Sequence, residues 1–308
     1  MLTQIRGLHH VTALAADAQE NNDFFTKLLG LRRVKKTVNF DAPDVYHLYY
    51  GDEIGTPGSV MTYFPFPHIA KGRRGTGEVS ETAFAIPVGS LDYWRDRLAD
   101  LGGLEEAKCF GERRLRFLGP DEDRFALVEV SGDVRRPFAK GPVPAEHGIH
   151  GFHGVTLCLA DGGATAELLG LMGYEEIDRQ GPVTRMAIRD GNGAHFVDIE
   201  VLPEAPQARE GAGSVHHVAF AVEDRAAQLE VRNALIDAGA RVTPVIDRSY
   251  FWSIYFRTPG GILFEVATNE PGFGHDEDPE HLGEALKLPE QHALLRPQLE
   301  KSLAPIVD

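Results

Sequence analysis

The chain has 308 residues, 43% of them hydrophobic and 25% charged, enough for about two domains at the usual ~100 to 200 residues each and too much for a small disulfide-stapled module. With 46 acidic against 31 basic residues the formal charge is −15, so no global field draws in phosphate backbones or anionic lipid, and neither nucleic acid nor membrane is an expected partner. No apolar run reaches the ~18 residues of a membrane span, the start MLTQIRGLHHVTAL lacks the parts of a signal peptide, and Cys109 and Cys158 are too few for a disulfide framework or a zinc ribbon; a cytoplasmic protein is expected.

In chain order, LHHVTAL (8–14) reads as a short strand, Asp17 and Glu20 as a helix-start signature, Phe24, Leu28 and Leu29 as a helical stripe, and Gly30 as the stop. Three strand-like stretches follow, LRRVKKTVNF, VYHLYYGD and GSVMTYFPF; the basic cluster Arg32, Arg33, Lys35, Lys36 in the first of them reads as a solvated face. The pattern recurs with TAFAIPV and a helix from Ser90 to Gly102, then with GFHGVTLCLA and a helix from Asp161 to Gly173. It recurs once more with VHHVAFAV, a helix capped by Asp224 and ended by Gly239, and the strands ARVTPVIDR, YFWSIYFRT and GILFEVAT. Strand, helix and three strands thus occur four times. One such unit leaves an apolar sheet face uncovered, so the modules are expected to pair into two open half-barrels of an α+β fold, each enclosing a cavity. Modules one and two span 1–131, a proline-rich linker 132–149, modules three and four 150–268, and a C-terminal extension 269–308 carries a helical pattern from Gln291 to Leu303. In that extension His275 to Asp278 read as a cap and turn rather than a metal site, and the extension is expected to pack on a domain or at a cavity mouth.

Strand alternation puts His10 on one side with Leu8 and Thr12, and His9 on the other unless the strand is bulged. His217 holds the matching position in module four, and the last strand of that module places Glu265 among apolar neighbours, where an unpaired carboxylate would be costly. Two imidazoles and a carboxylate converging on a cavity form the facial set used by non-haem Fe(II) oxygenases. Module three offers His153 with Asp198 or Glu200, and module two Glu81 and Glu129. Pairing of neighbours would gather His153, His217 and Glu265; pairing of the outer modules would gather His10, His217 and Glu265, with Tyr63 aligned to Glu265. Periodicity leaves both open. Phe251, Trp252, Tyr63 and Phe64 are candidate walls for a flat ring.

The motifs GLHHVT, YHLYYGDEIGTPG, SVHHVAFAV, DRSYFWSIYFRTPGGILFEVAT and GFGHDEDPEHLGE resemble, from Gly7 to about Leu288, the vicinal oxygen chelate superfamily, and most of all its hydroquinone-type ring-cleaving dioxygenases. That resemblance implies that modules one and four supply Fe(II) ligands, here His10, His217 and Glu265, with supporting roles for His9, Arg248 and Tyr255. It implies a small aromatic substrate, hydroquinone-type or catechol-type, and O₂, and leaves homo-oligomer formation open. The rival readings are a glyoxalase-like metal-dependent lyase or isomerase and a non-catalytic protein that sequesters an aromatic drug.

Overall fold

The computed structural model describes residues 1–101 and 104–307. Module one comprises strand β1 (Leu8–Ala15), helix α1 (Ala18–Asp23) continuing into a π-helical turn, β2 (Arg32–Val38), β3 (Tyr46–Gly51) and β4 (Val60–Pro65). Module two is β5 (Glu78–Pro87), α2 (Leu91–Arg97), β6 (Glu105–Cys109), β7 (Glu112–Leu118) and β8 (Arg124–Val130); module three is β9 (Gly151–Leu159), α3 (Gly163–Leu171), β10 (Glu175–Gln180), β11 (Val183–Ala187) and β12 (Phe196–Val201). Module four is β13 (Val215–Val222), α4 (Arg225–Asp237), β14 (Ile246–Asp247), β15 (Phe251–Arg257) and β16 (Leu263–Pro271), and the extension ends in α5 (Arg296–Ser302).

Local chemistry sets these boundaries. Asp17 accepts from the Glu20 amide at 2.8 Å and Asp224 from the Ala227 amide at 2.9 Å, each satisfying an orphan donor of the first helical turn. Gly30 and Gly239 follow the first and last of these helices at φ +72° and +88°, a conformation that a side chain disfavours. Helix α2 stops at Arg97 and a short 3₁₀ turn covers Ala99–Leu101; the expected end at Gly102 lies outside the described residues. The stretch ARVTPVIDR yields only the two-residue β14, because Pro244 has no amide to offer a ladder. Around it Thr243 ties itself to β15 irregularly, donating its amide to the Tyr255 carbonyl and accepting the Tyr255 amide on Oγ1, both at 3.0 Å.

Two eight-stranded sheets result, ordered β14-β15-β16-β13-β1-β4-β3-β2 and β10-β11-β12-β9-β5-β8-β7-β6. The first therefore joins modules one and four through antiparallel β1 and β13, and the second joins modules two and three through β5 and β9. The apolar faces of both sheets and their helices share one core that includes Phe25, Trp94, Phe125, Phe152 and Phe220. Each sheet curves around a cavity, which is where polar groups can gather without disturbing that core.

The extension is held to module one by the basic cluster, which is not a solvated face. A register shift in β2 between Arg33 and Lys35 turns Lys35 inward, where it is 0% exposed. Its ammonium pairs with Asp276 at 2.6 Å and with Glu277, over the ring of Tyr250. Arg33 donates to the Gly283 carbonyl at 2.9 Å, and Arg32 to that of Glu280 at 2.8 Å. Asp278 accepts from the Glu280 amide at 2.9 Å as a cap.

Candidate metal centre and substrate pocket

Both histidine pairs depart from strict alternation, for the same reason. In the β1–β13 ladder Leu8 faces Phe220 while His10 faces Ala219, and Thr12 faces His217 while Ala13 faces Val215, so His9 and His216 are each the extra residue of a bulge. The bulge leaves His9 beside His10 instead of opposite to it, with the two Nδ1 atoms 2.9 Å apart, and His216 beside His217 with Nδ1 atoms 2.7 Å apart. His10 and His217 then meet across the seam, Nε2 to Nε2 at 3.3 Å, and β16 lays Glu265 against both, its Oε2 3.3 Å from His10 and 3.0 Å from His217.

This triad is buried, with exposures of 2%, 5% and 0% for His10, His217 and Glu265. Ser253 donates to Glu265 Oε1, while Oε2 has no hydrogen-bond donor. A buried carboxylate oxygen left without a donor and two imidazole nitrogens aimed at the same point fit a cation. Three donors ~2.1 Å from a metal and about 90° apart stand ~3 Å from one another, close to the spacing found here. Among the described residues this is the one His/Cys/Asp/Glu cluster with such convergence.

The electrostatics agree. Burial would raise the Glu265 carboxyl, yet the imidazoles of His10 and His217 hold it well below the usual range. Burial drives His217 down to about 4 and, with the neighbouring His10, drives His9 down to about 3, so both rings are neutral at pH 7. His9 Nε2 lies 3.1 Å from the Thr268 carbonyl, which can only accept, so this nitrogen carries the ring proton. His9 Nδ1 must then accept from His10 Nδ1–H, so it is His10 Nε2 that faces the triad and, in the neutral ring, carries the lone pair there. His9 thus fixes the ligand's tautomer from behind and does not line the pocket. His216, which sequence reasoning missed, likewise bonds His217 through Nδ1, but unlike His9 it lines the pocket.

The triad sits in a cavity of about 280 Å³ walled by Phe40, Phe64, Phe66, Phe251 and Leu14. Tyr255 and Arg248 enter it from β15 and the turn before it. Arg248 does not pair with Asp247; it reaches Asp41 at 3.5 Å, and its Nε donates to the Tyr255 hydroxyl at 3.1 Å. Burial and the Glu265 charge raise the Tyr255 phenol, so its proton is retained at neutral pH. Two expected walls are elsewhere: Trp252 faces Arg225 on the outside, and Tyr63 is in the core, donating to Asp123 at 2.9 Å. Register also removes the alignment of Tyr63 with Glu265. Thr62 pairs with Thr12 and Tyr49, as Glu265 pairs with Ala219 and Tyr255. The hydroxyl of Thr62 meets His47 Nε2 at 2.7 Å, and Tyr49 meets His47 Nδ1 at 2.8 Å. His47 and Tyr49 line the pocket, and their alternation in YHLYYG was the available signal.

The other half-barrel has the same bulges, at Ser80 and His153. His153 therefore matches His216, and Gly154 matches His217; a Cβ at Gly154 would meet the Phe196 carbonyl at 2.4 Å. Glu81 and Asp198 match His10 and Glu265, but guanidinium groups fill the centre. Arg185 binds Asp198 through two bonds of 2.8 Å, and Arg116 binds Glu81 at 2.7 Å. His153 bonds Glu112 at 3.1 Å, and Glu129 serves the amides of Gly89 and Leu91.

Fold and site together define a half-barrel protein with a buried two-histidine, one-glutamate metal-binding centre. Residues 7–266 match the model of the Glyoxalase/Bleomycin resistance protein/Dioxygenase superfamily, and the chain belongs to that family. It is 39% identical to the "Putative ring-cleaving dioxygenase MhqO" of Bacillus subtilis over 99% of this chain and 98% of that one. It is 36% identical to the chlorohydroquinone/hydroquinone 1,2-dioxygenase of Sphingobium indicum, over 97% and 96%. The crystal structure of a "putative dioxygenase" from Bacillus subtilis superposes with a TM-score of 0.95 at 39% identity, covering 99% and 98%. Among the described residues no helix is long and apolar enough to cross a membrane.

Proposed function

We propose that the protein is an Fe(II)-dependent dioxygenase that cleaves an aromatic ring beside a hydroxyl group, with a hydroquinone-type or catechol-type phenol as substrate. The observation that carries this reading is the triad itself: three convergent protein donors, with Thr62 where a second carboxylate would stand, leave coordination positions for two further molecules. A four-ligand lyase site would need that carboxylate. The relatives' names point to the same reaction class.

When bound, Fe(II) supplies the redox chemistry with O₂ and acidifies a coordinated phenol. The protein supplies the rest. His10, His217 and Glu265 hold the metal, with His9 fixing the tautomer of His10 and His216 bonded to His217. The aromatic walls hold a flat ring and exclude water. The Tyr255 hydroxyl accepts from Arg248, so its own proton is free to be donated to an oxygen in the pocket, and the guanidinium offsets negative charge there. The test is O₂ consumption by anaerobically Fe(II)-loaded protein across a panel of hydroquinones and catechols. One O₂ per ring is expected, and equal activity with Zn²⁺, which has no redox chemistry, overturns the reading.

A further inference from the structure

Among the described residues a single side chain, Phe40, lines both the metal pocket and a second, outer cavity. The outer cavity is a groove of about 970 Å³ between the turn preceding β15 and the C-terminal extension at Leu288–Gln291. Its walls include Trp252, Pro271, Leu288 and Pro289, with Asp247 and Glu290 alongside. Phe40 belongs to the loop joining β2 to β3, whose neck is closed by the Asn39 amide donating to the Val45 carbonyl at 2.8 Å. The extension fixes the loop's backbone, since Gln291 Nε2 and His292 Nε2 donate to the Phe40 carbonyl at 3.1 and 2.8 Å. The ring is only half-buried and faces the Arg248 guanidinium, 5.4 Å from its centroid.

We propose that Phe40 is the partition between the two cavities and the residue that sets which ring substituents the pocket accepts, so that an apolar group on the ring projects past it into the groove. The inference rests on the pocket being the phenol site. The backbone is tied down while the ring is not packed on all sides, so the partition moves by side-chain rotation, which is fast for a partly exposed residue. Three carboxylates line the groove, Asp247, Asp276 and Glu290, of which Asp276 is paired with Lys35; together they disfavour an ionised acidic substituent and leave apolar alkyl or aryl groups as the class that fits.

The test uses the full chain loaded with Zn²⁺, so that binding is read without turnover, and anaerobic calorimetry with hydroquinone and phenylhydroquinone. In Phe40→Ala the ratio of the phenylhydroquinone Kd to the hydroquinone Kd should fall by ~10-fold or more, the size of a removed apolar obstruction. In Phe40→Trp it should rise. The tryptophan variant keeps the test alive should the alanine variant fold poorly. A ratio that stays constant across wild type and both variants overturns the partition alone. Wild-type protein that binds neither phenol overturns the reading of the pocket, and this inference with it.

Discussion

Thr62 occupies in module one the place that Glu265 occupies in module four, each facing the matching residue of its central strand and a pocket tyrosine, Tyr49 or Tyr255. The pseudo-twofold between the modules thus offers four ligand positions and fills three. Thr62→Glu should complete a two-histidine, two-carboxylate set, keeping the metal but closing a position that substrate or O₂ needs. Turnover is expected to fall roughly 10²-fold or more, the scale of a misplaced reacting group, with metal content by elemental analysis at or above wild type. Full turnover in the variant would show that Thr62 does not border the coordination sphere.

Tyr255 accepts a hydrogen bond from Arg248 and keeps its proton, raised by burial, as the one it can give. Tyr255→Phe should lower turnover by roughly 10 to 10⁴-fold, from a lost hydrogen bond to a lost general acid, with iron stoichiometry and KM for the phenol little changed. Unchanged turnover would return Tyr255 to a wall residue.

The repeat and its cap signals were legible in the sequence because each module obeys local rules: Asp17 and Asp224 cap, and Gly30 and Gly239 stop. The triad was legible as candidate residues, since histidine and glutamate on apolar strands require a reason to be there. The module pairing was not legible in the periodicity, because it is a matter of which edges meet and both pairings bury similar faces; only the family resemblance favoured modules one and four. The bulges at His9 and His216 were not legible either, and they set both members of each histidine pair side by side where alternation would separate them. The basic cluster at Arg32 to Lys36 misled for a related reason. Its partner carboxylates lie some 240 residues later, at separations of 241 and 242.

Asp123 is buried beneath the Tyr63 hydroxyl, and burial pushes its carboxyl up to about 6, with Asp121 adding to the rise and Tyr63 opposing it. Its folded pKa lies above the unfolded value of ~3.9, so the native state binds the extra proton between those values. Its contribution to stability is therefore fully present below about pH 4 and lost as pH rises through 6. Asp123→Asn, which keeps an acceptor for Tyr63, should match wild type near pH 4 and exceed it by up to roughly 3 kcal/mol above pH 6.5. Denaturant melts at the two pH values read this directly, and a variant less stable than wild type at pH 8 would contradict it.

The contrast between His10 and His153 tests the assignment of the centre to the seam between modules one and four. His10 Nε2 lies 3.3 Å from both His217 Nε2 and Glu265 Oε2, whereas His153 is in the other sheet at a bulge, bonded to Glu112 at 3.1 Å. His10→Ala removes one of three donors and strands His9 without its partner. Metal affinity should fall by more than the ~10 to 100-fold typical of losing an outer-shell partner, and activity should fall with it. His153→Ala removes one bond from a network in which Arg185 and Arg114 still neutralise Glu112, at 2.6 and 3.4 Å. That variant should retain stoichiometric metal and most activity, with a stability loss on the order of 1 kcal/mol for a partly exposed hydrogen bond. His217→Ala serves as the positive control. Metal retained in His10→Ala but lost in His153→Ala would move the centre to the other half-barrel and refute the assignment.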